Sequence, residues 1–509
     1  MKRDINSAKK NNYDIIIIGG GFYGVMIAYE SSRRNLKTLL LDKSDFGSAT
    51  SFNSLRIVHG GLRYLQSLDI HRFRESVGER KWFMKNFPKL TKPISCLMPL
   101  YNKGLHRNSI MWTALNLNDL LSLTRNKSIH PENSLLNGKV ISAEKVKEIF
   151  PDVDGKELKG GAIWNDGSID DSQIVLMEIL KSASGNGCTP LNYIEVKNVI
   201  IHGNQVKGVV AIDNETNNEI EFNSSIVINS TGPWSRSLAK IFHKDFKELF
   251  NYSIAWNALF DKKALSDHAL AITPPKDDAK AYFLRPWKGK LFAGTVHEEL
   301  EDFTDNPMPS DESINSFIAD LNLSIPDLNL NRKNILKIYS GILPVKKEGT
   351  NQLAVREIII DHSGHGGPKG LYSLSGVKLT TSRLVAEKVL NKIFGKKISK
   401  KQTDITFPIK SEKEYGIFDF NWNLENDKNG WQDILKDKIE NESVVHLQDL
   451  ILRRTTLGDN PKCAVKYSRD ICKLFDWDDQ RIESETEDLK NHYKRRGYIF
   501  EVKNEDILA

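Results

Sequence analysis

Tyr13-Asp14-Ile15-Ile16-Ile17-Ile18 runs directly into Gly19-Gly20-Gly21-Phe22-Tyr23-Gly24. The four isoleucines predict a short strand buried on both faces, as strands of parallel sheets are. Gly24 to Asn35 predicts a helix, with Val25, Ile27 and Ala28 available for packing. Thr38–Leu41 predicts a second apolar strand, ending at Asp42. Strand, glycine turn, helix and strand within about 30 residues make a βαβ unit. Gly19 allows the tight turn, Gly21 lets backbone N–H groups approach a pyrophosphate, and Gly24 lets helix and strand pack closely. The helix N-terminus adds partial positive charge, and Asp42 can accept from a ribose hydroxyl. These features predict a dinucleotide site. They leave FAD and NAD both open, because both present an ADP half. No second GxGxxG exists; Gly364-His365-Gly366-Gly367 misses the spacing, is followed by Pro368, and reads as a surface loop.

The chain is 509 residues long, too long for one ordinary domain. Hydrophobic residues make up 39% and charged residues 27%, which supports a packed core and argues against general disorder. A net charge of +6 is mild for this length and gives no sign of a nucleic-acid binder. It leaves room for an anionic small substrate or an anionic membrane surface. Cys96, Cys188, Cys463 and Cys472 form no CxxC pair, so a disulfide scaffold is excluded and a zinc site is poorly supported. No apolar run approaches the roughly 20 residues that span a bilayer, and the polar N-terminus lacks a signal-peptide core. A cytoplasmic protein is expected.

Farther along, Ser225–Asn229 predicts a buried strand before the turn Ser230-Thr231-Gly232-Pro233, and residues 192–213 predict a β-meander. Residues 253–300 and 335–360 also read as strands, and Thr380–Ile393 as a helix. Past Thr403 the sequence becomes charged and helical. A boundary near 405 divides it into residues 12–404 and 405–509.

The stretch after Asp42 carries a resemblance. Ala49-Thr50-Ser51 and Ile57-Val58-His59-Gly60-Gly61-Leu62-Arg63-Tyr64-Leu65 resemble the signature of the FAD-dependent glycerol-3-phosphate dehydrogenases. It continues through Ser230-Thr231-Gly232-Pro233-Trp234, Tyr339-Ser340-Gly341, Ala354-Val355-Arg356, Gly376-Val377-Lys378-Leu379-Thr380-Thr381 and Arg453-Arg454-Thr455. The resemblance implies an α/β fold: a glutathione-reductase-like FAD domain interleaved with an antiparallel substrate domain, plus a helical C-terminal domain. It implies noncovalent FAD, oxidation of a secondary alcohol beside a phosphate ester, and electrons passed to a quinone or to oxygen. A homodimer is one assembly the sequence leaves open. The implied cofactor-binding set comprises Gly19, Gly21, Phe22, Tyr23, Gly24, Asp42, Lys43, Thr50, Ser51, His59, Gly60, Thr231, Gly232, Gly341, Gly376, Lys378, Leu379 and Thr380. Val196 is implied near the adenine.

Oxidising CHOH to C=O requires a base for the hydroxyl proton, a donor for negative charge on the flavin, and a cation for the substrate anion. His59 is the leading base, because an imidazole accepts protons near neutrality; a histidine that only hydrogen-bonds FAD or orders the loop is the other reading. Arg63 and Arg356 are implied substrate-anion contacts, since arginine forks two N–H bonds onto phosphate. Lys378 is implied beside the flavin or the substrate oxygen, and Tyr64 either donates to substrate or packs. Three positions depart from the family pattern: Ile254 where a histidine is usual, Leu343 where an arginine precedes the proline, and Val296-His297 in Gly294-Thr295-Val296-His297. They suggest a substrate other than glycerol 3-phosphate, such as a larger polyol or sugar phosphate. A C–N oxidoreductase and a non-catalytic flavin-binding subunit are the rival readings. Residues 101–127 combine Lys103, His106, Arg107, Arg125 and Lys127 with Met111, Trp112, Leu115, Leu117, Leu120 and Leu121. A basic amphipathic helix of this kind can lie in a bilayer interface, as in quinone-reducing relatives; a helix packed on the core is the alternative. Arg453 and Arg454 read as structural, holding the C-terminal part against the rest.

Overall fold

The computed structural model describes residues 1–102, 104, 106–277, 279–300, 303–347, 349–350, 352–395, 407–426 and 430–500. β1 (Ile15–Ile18), α1 (Phe22–Ser32) and β2 (Thr38–Leu41) form the expected βαβ unit. All four β1 residues are buried. β1 pairs in parallel with β2 on one side and with Val227–Asn229 on the other. Leu371–Ser375 and Cys188–Leu191 extend this parallel sheet, and Ile358–Asp361 closes one edge antiparallel. The strand order turns at β1, with β2 and Cys188–Leu191 on one side and Val227–Asn229 and Leu371–Ser375 on the other, and a crevice opens at such a switch point. α1 starts at Phe22 because Gly21 takes the extended N-cap conformation. It ends before Asn35, whose φ of 57° is left-handed. Phe22 and every residue from Gly24 to Ser32 are buried, because the helix lies between the sheet and two further helices, Ser172–Gly185 and Ser382–Phe394.

After this unit come α2 (Ile70–Asn86), α3 (Asn108–Leu121) and β3 (Gly160–Ser168). β4 (Ile194–His202) opens the predicted meander with Gln205–Asp213 and Glu219–Ser224. A larger, mostly antiparallel sheet is built on β5 (Asn251–Lys263), β6 (Lys290–Glu299) and β7 (Ile335–Val345), with β5 in the middle. Strand alternation divides β5 sharply. Ile254, Trp256, Ala258 and Phe260 join Ile314, Phe317 and Leu321 of α4 (Asp311–Ser324) in one apolar cluster. Ser253 and Ala255 share the other face with their partners Leu343 and Gly341 on β7. That second face looks toward the loop after β2, where a Cβ on Gly341 would sit 3.0 Å from Thr50.

This corrects one expectation. Ile254 lies in the core, 3% exposed, behind the sheet and away from the cofactor loop. Its identity says nothing about the substrate. Leu343 pairs with Ser253 and His297 pairs with Ala255, so both stand on the face that does.

The C-terminal helices, including α5 (Asp479–Arg495), bury Leu489 and Tyr493 against Phe52, Trp287, Phe292 and Tyr339. The expected boundary near 405 lies outside the described residues. Arg454 donates to Asp45 through Nη1 at 2.7 Å and Nη2 at 2.6 Å, and Arg453 donates to Asp45 and Asp449. Burial alone would push the Asp45 carboxyl up, but the two guanidinium groups hold it well below the carboxylate range. Lys337 is wholly buried, with its Nζ over the rings of Phe52, Tyr339 and Tyr493. Burial pushes its pKa down to about 7. No helix among the described residues is long and apolar enough to cross a membrane.

Candidate active site

The fingerprint turn sits at the C-terminal ends of β1 and β2. Gly19 has φ of 102°, and a Cβ there would strike the backbone of Ser230 and Thr231 at 2.8–2.9 Å. A Cβ on Gly24 would lie 1.7 Å from the Gly19 carbonyl oxygen. Gly21 caps α1 without a side chain, and no acid stands in the first turn. The positive end of the helix is therefore left for an anion. Ser51 Oγ accepts the Phe22 N–H at 3.0 Å and holds the following loop against this turn. Asp42 accepts the Gly20 N–H at 2.6 Å and the Ser44 N–H at 2.8 Å. Burial pushes its pKa up to about 6, against the pull of these two hydrogen bonds. The second lone pair on each oxygen is what a ribose diol would use. Val196 is buried on β4, two residues after Ile194, whose N–H donates to the Asp42 carbonyl at 2.7 Å. Lys43 Nζ lies 4.3 Å from the centre of the Trp234 ring.

Tyr23 joins the two halves of the expected cofactor cradle. Its hydroxyl accepts the N–H groups of Val377 and Lys378 at 2.9 Å each and donates to the Lys378 carbonyl at 2.8 Å. Gly376 is required beside it, because a Cβ there would lie 2.1 Å from the ring. Burial pushes the phenol up to about 12, so it stays protonated. Thr50 Oγ1 donates to the Ile342 carbonyl at 3.0 Å and accepts its N–H at 3.2 Å, which fixes Gly341 against the loop. Gly232 has φ of 57° with open space where a Cβ would be. Thr231 bonds Asn229 at 2.7 Å, and Thr380 is buried beside Leu379 in a short turn before the helix Ser382–Phe394. These residues fit a dinucleotide: glycines where backbone must approach, N–H donors at a bare helix start, and an acid for the ribose.

His59 is held from behind. Its Nδ1 lies 3.3 Å from Asp166 Oδ2, on β3. Asp166 Oδ1 accepts the Gly60 N–H at 2.6 Å and Arg80 Nη1 at 2.6 Å. The His59 side chain is 52% exposed, while that of Asp166 is 6% exposed. Burial would raise the Asp166 carboxyl, but the His59 hydrogen bond, the Arg80 charge and the Gly60 N–H together hold it below its ordinary value. A Cβ on Gly60 would lie 2.0 Å from Arg80 Nη1, so this glycine makes room for the guanidinium. Sequence reading missed Asp166 and Arg80. No local signal was available: Asp166 lies in the polar run Asn165-Asp166-Gly167-Ser168 and Arg80 in a highly charged helix.

Tyr64, Arg356 and Lys378 line one cavity together with Arg72 of α2. Lys378 Nζ meets the Tyr64 hydroxyl. Arg63 is exposed and does not line this cavity. It acts on His297, whose pKa is pushed down to about 4 by burial, then by the charges of Lys280 and Arg63.

Residues 14–390 match the family described as FAD dependent oxidoreductase. The chain belongs to this FAD-dependent oxidoreductase family. Among curated proteins, it is 31% identical over 409 residues to the glycerol-3-phosphate dehydrogenase of Synechocystis sp., covering 77% of this chain and 72% of that one. It is 29% identical to the mitochondrial glycerol-3-phosphate dehydrogenase of Homo sapiens, over 75% of this chain but 52% of the relative, so it spans about half the human protein. The FAD complex of the Bacillus halodurans glycerol-3-phosphate dehydrogenase shares the fold over 98% of both chains, with a TM-score of 0.73 at 19% identity. The L-proline dehydrogenase of P. horikoshii shares it over 78% of this chain and 95% of that one, with a TM-score of 0.56 at 20% identity. The expected cofactor and α/β architecture with its helical C-terminal region therefore hold. Membership also settles the dinucleotide that the fingerprint left open: it is FAD.

Proposed function

We propose that this flavoenzyme oxidises the secondary alcohol of a phosphorylated polyol to a ketone, with glycerol 3-phosphate as the first substrate to test. The observation that carries this reading is the cavity that brings Tyr64, Arg356 and Lys378 together. Arginine and lysine there can hold a phosphate, for which an amine substrate has no use. Bound FAD supplies the two-electron acceptor for the carbon-bound hydrogen. Asp166 accepts from His59 Nδ1, which leaves Nε2 with its lone pair to take the hydroxyl proton. Arg356 and Lys378 hold the phosphate, and the Tyr64 hydroxyl, which meets Lys378 Nζ, orients that cation. The two-part division near residue 405, with a helical C-terminal domain, is part of the same reading. So are a quinone or oxygen as acceptor and a cytoplasmic location.

The test is an anaerobic flavin-bleaching screen with glycerol 3-phosphate, larger polyol and sugar phosphates, unphosphorylated polyols and amino acids. Bleaching by a phosphate ester within seconds is expected. Bleaching by amino acids alone would overturn the reading in favour of a C–N oxidoreductase, and no bleaching by any of them would point to a non-catalytic flavin-binding subunit.

Peripheral membrane contact belongs to the proposal as well. In α3, Met111 and Leu115 are buried, while Trp112 is 60% and Leu120 63% exposed. Leu68 and Leu123 are exposed too. Exposed apolar groups in one region mark an interaction surface. His106, Arg107 and Lys127 are exposed beside it. The expected role of Arg125 is corrected: it is buried, paired with Asp119 at 3.1 Å and bonded to Asn137, so it cannot reach a lipid. Lys103 lies outside the described residues. Replacing Trp112 and Leu120 by serine is expected to cut co-sedimentation with anionic phosphatidylserine vesicles by at least tenfold, since about 25 cal/mol is lost per Å² of apolar surface. Unchanged sedimentation would remove the membrane reading.

A further inference from the structure

The cavity holds more positive charge than Arg356 and Lys378 supply. Arg72 enters it from the first turn of α2, with its Cζ 4.2 Å from the centre of the Tyr64 ring and its side chain 16% exposed. Tyr64 thus carries Arg72 on its face and Lys378 at its hydroxyl. Lys378 has no acid within ion-pair distance among the described residues, and Arg72 has one loose partner. The cavity's acids, Glu75 and Glu357, are both taken by Lys388, at 3.0 and 2.8 Å. Arg72 has only Asp69, at 3.6 Å, which is beyond hydrogen-bond length. No side-chain hydrogen bond from the Arg72 guanidinium to an acceptor is present among the described residues. A guanidinium carries five donors in a planar fork. Its contact with Tyr64 holds that fork in place without using it.

Across the sheet, Leu343 stands on the cofactor-facing side of β7 and offers no donor. At this position β7 therefore supplies no cation, whereas α2 supplies Arg72.

We propose that Arg72 is a specificity-determining residue: together with Arg356 and Lys378 it forms the site for the substrate's phosphate dianion, with its fork on two phosphate oxygens. This rests on the phosphorylated-polyol reading above. It goes further by moving the phosphate site toward α2 and giving Tyr64 the task of aligning two cations.

The experiment compares wild type with Arg72→Gln and Arg72→Lys in anaerobic flavin reduction by glycerol 3-phosphate and by glycerol, with inorganic phosphate as a competing probe. For Arg72→Gln, the half-saturating glycerol 3-phosphate concentration should rise about 10- to 100-fold, the range for losing charged hydrogen bonds. The inhibition constant of inorganic phosphate should rise in parallel, and half-saturation by glycerol should stay where it is. Arg72→Lys keeps the charge without the fork and should fall between. Flavin content and thermal midpoint check that each variant is folded; if the glutamine variant is not, the lysine variant alone should still show a rise of about 3- to 10-fold. Equal half-saturation and equal phosphate inhibition in all forms would overturn the proposal while leaving the function intact. Failure of every phosphate ester to bleach the wild-type flavin would instead overturn the function and this inference with it.

Discussion

Replacing Asp166 by Asn is expected to slow flavin reduction by about 100-fold, and replacing His59 by Gln by about 100- to 10,000-fold, the range for a general base. The argument rests on how Asp166 divides its two oxygens. Oδ1 is occupied by Gly60 N–H and Arg80, whereas Oδ2 faces His59 Nδ1. In an asparagine the amide oxygen keeps the Gly60 and Arg80 bonds, so the loop stays in place. The amide NH2 then faces Nδ1 and donates to it. That forces the ring proton onto Nε2, and Nε2 can no longer accept one. The loss should fall on the limiting rate and not on half-saturation. It should vanish in the His59→Gln background, because the two substitutions remove the same function. A merely structural Asp166 would give additive losses in stopped-flow measurements. Unchanged reduction in His59→Gln would remove the base itself.

Local and long-range features were unequally visible in the sequence. The βαβ unit was legible because each part declares itself over a few neighbours: an isoleucine run, a glycine turn, an acid at the strand end. Tyr64, Arg356 and Lys378 were legible through resemblance, and the fold brings all three to one cavity. Asp166, Arg80 and Arg72 were not. β3 and α2 meet only when the large sheet closes, and neither residue type nor spacing announces that meeting. Ile254 was misjudged because a strand residue's face depends on register with its partners, and a shift of one position moves a side chain to the other side. Arg125 was misjudged because a basic residue in an amphipathic stretch reads as solvated until its partners, Asp119 and Asn137, are placed.

Arg454→Met is expected to destabilise the protein by about 3–5 kcal/mol, the usual loss when one member of a buried ion pair is removed. Both Arg454 and Asp45 have side chains with no exposed surface. Methionine would leave Asp45 with Arg453 as its one cation, beside the neutral Asn192 amide at 3.0 Å, and Arg453 is shared with Asp449. The effect should reach the cofactor. Asp45 follows Asp42-Lys43-Ser44, so its loop is the one that carries the ribose-directed acid, and the arginines come from the C-terminal part. Flavin retention through dialysis should fall together with stability. In urea, flavin release and tryptophan emission from Trp422 and Trp431 should report one transition in wild type and two in the variant, with the C-terminal helices separating first. The pH dependence has a fixed sign. A carboxyl whose folded pKa lies below its unfolded value near 3.9 contributes stability that is present above that value and lost as acid is added. Wild type should therefore lose more stability than Arg454→Met below pH 4. A second change tests the cause: Asp45→Leu combined with Arg454→Met removes both charges and should recover part of the loss, because an apolar pair costs no uncompensated charge. A variant with wild-type midpoint and full flavin retention would show that the C-terminal arginines do not hold the adenosine loop.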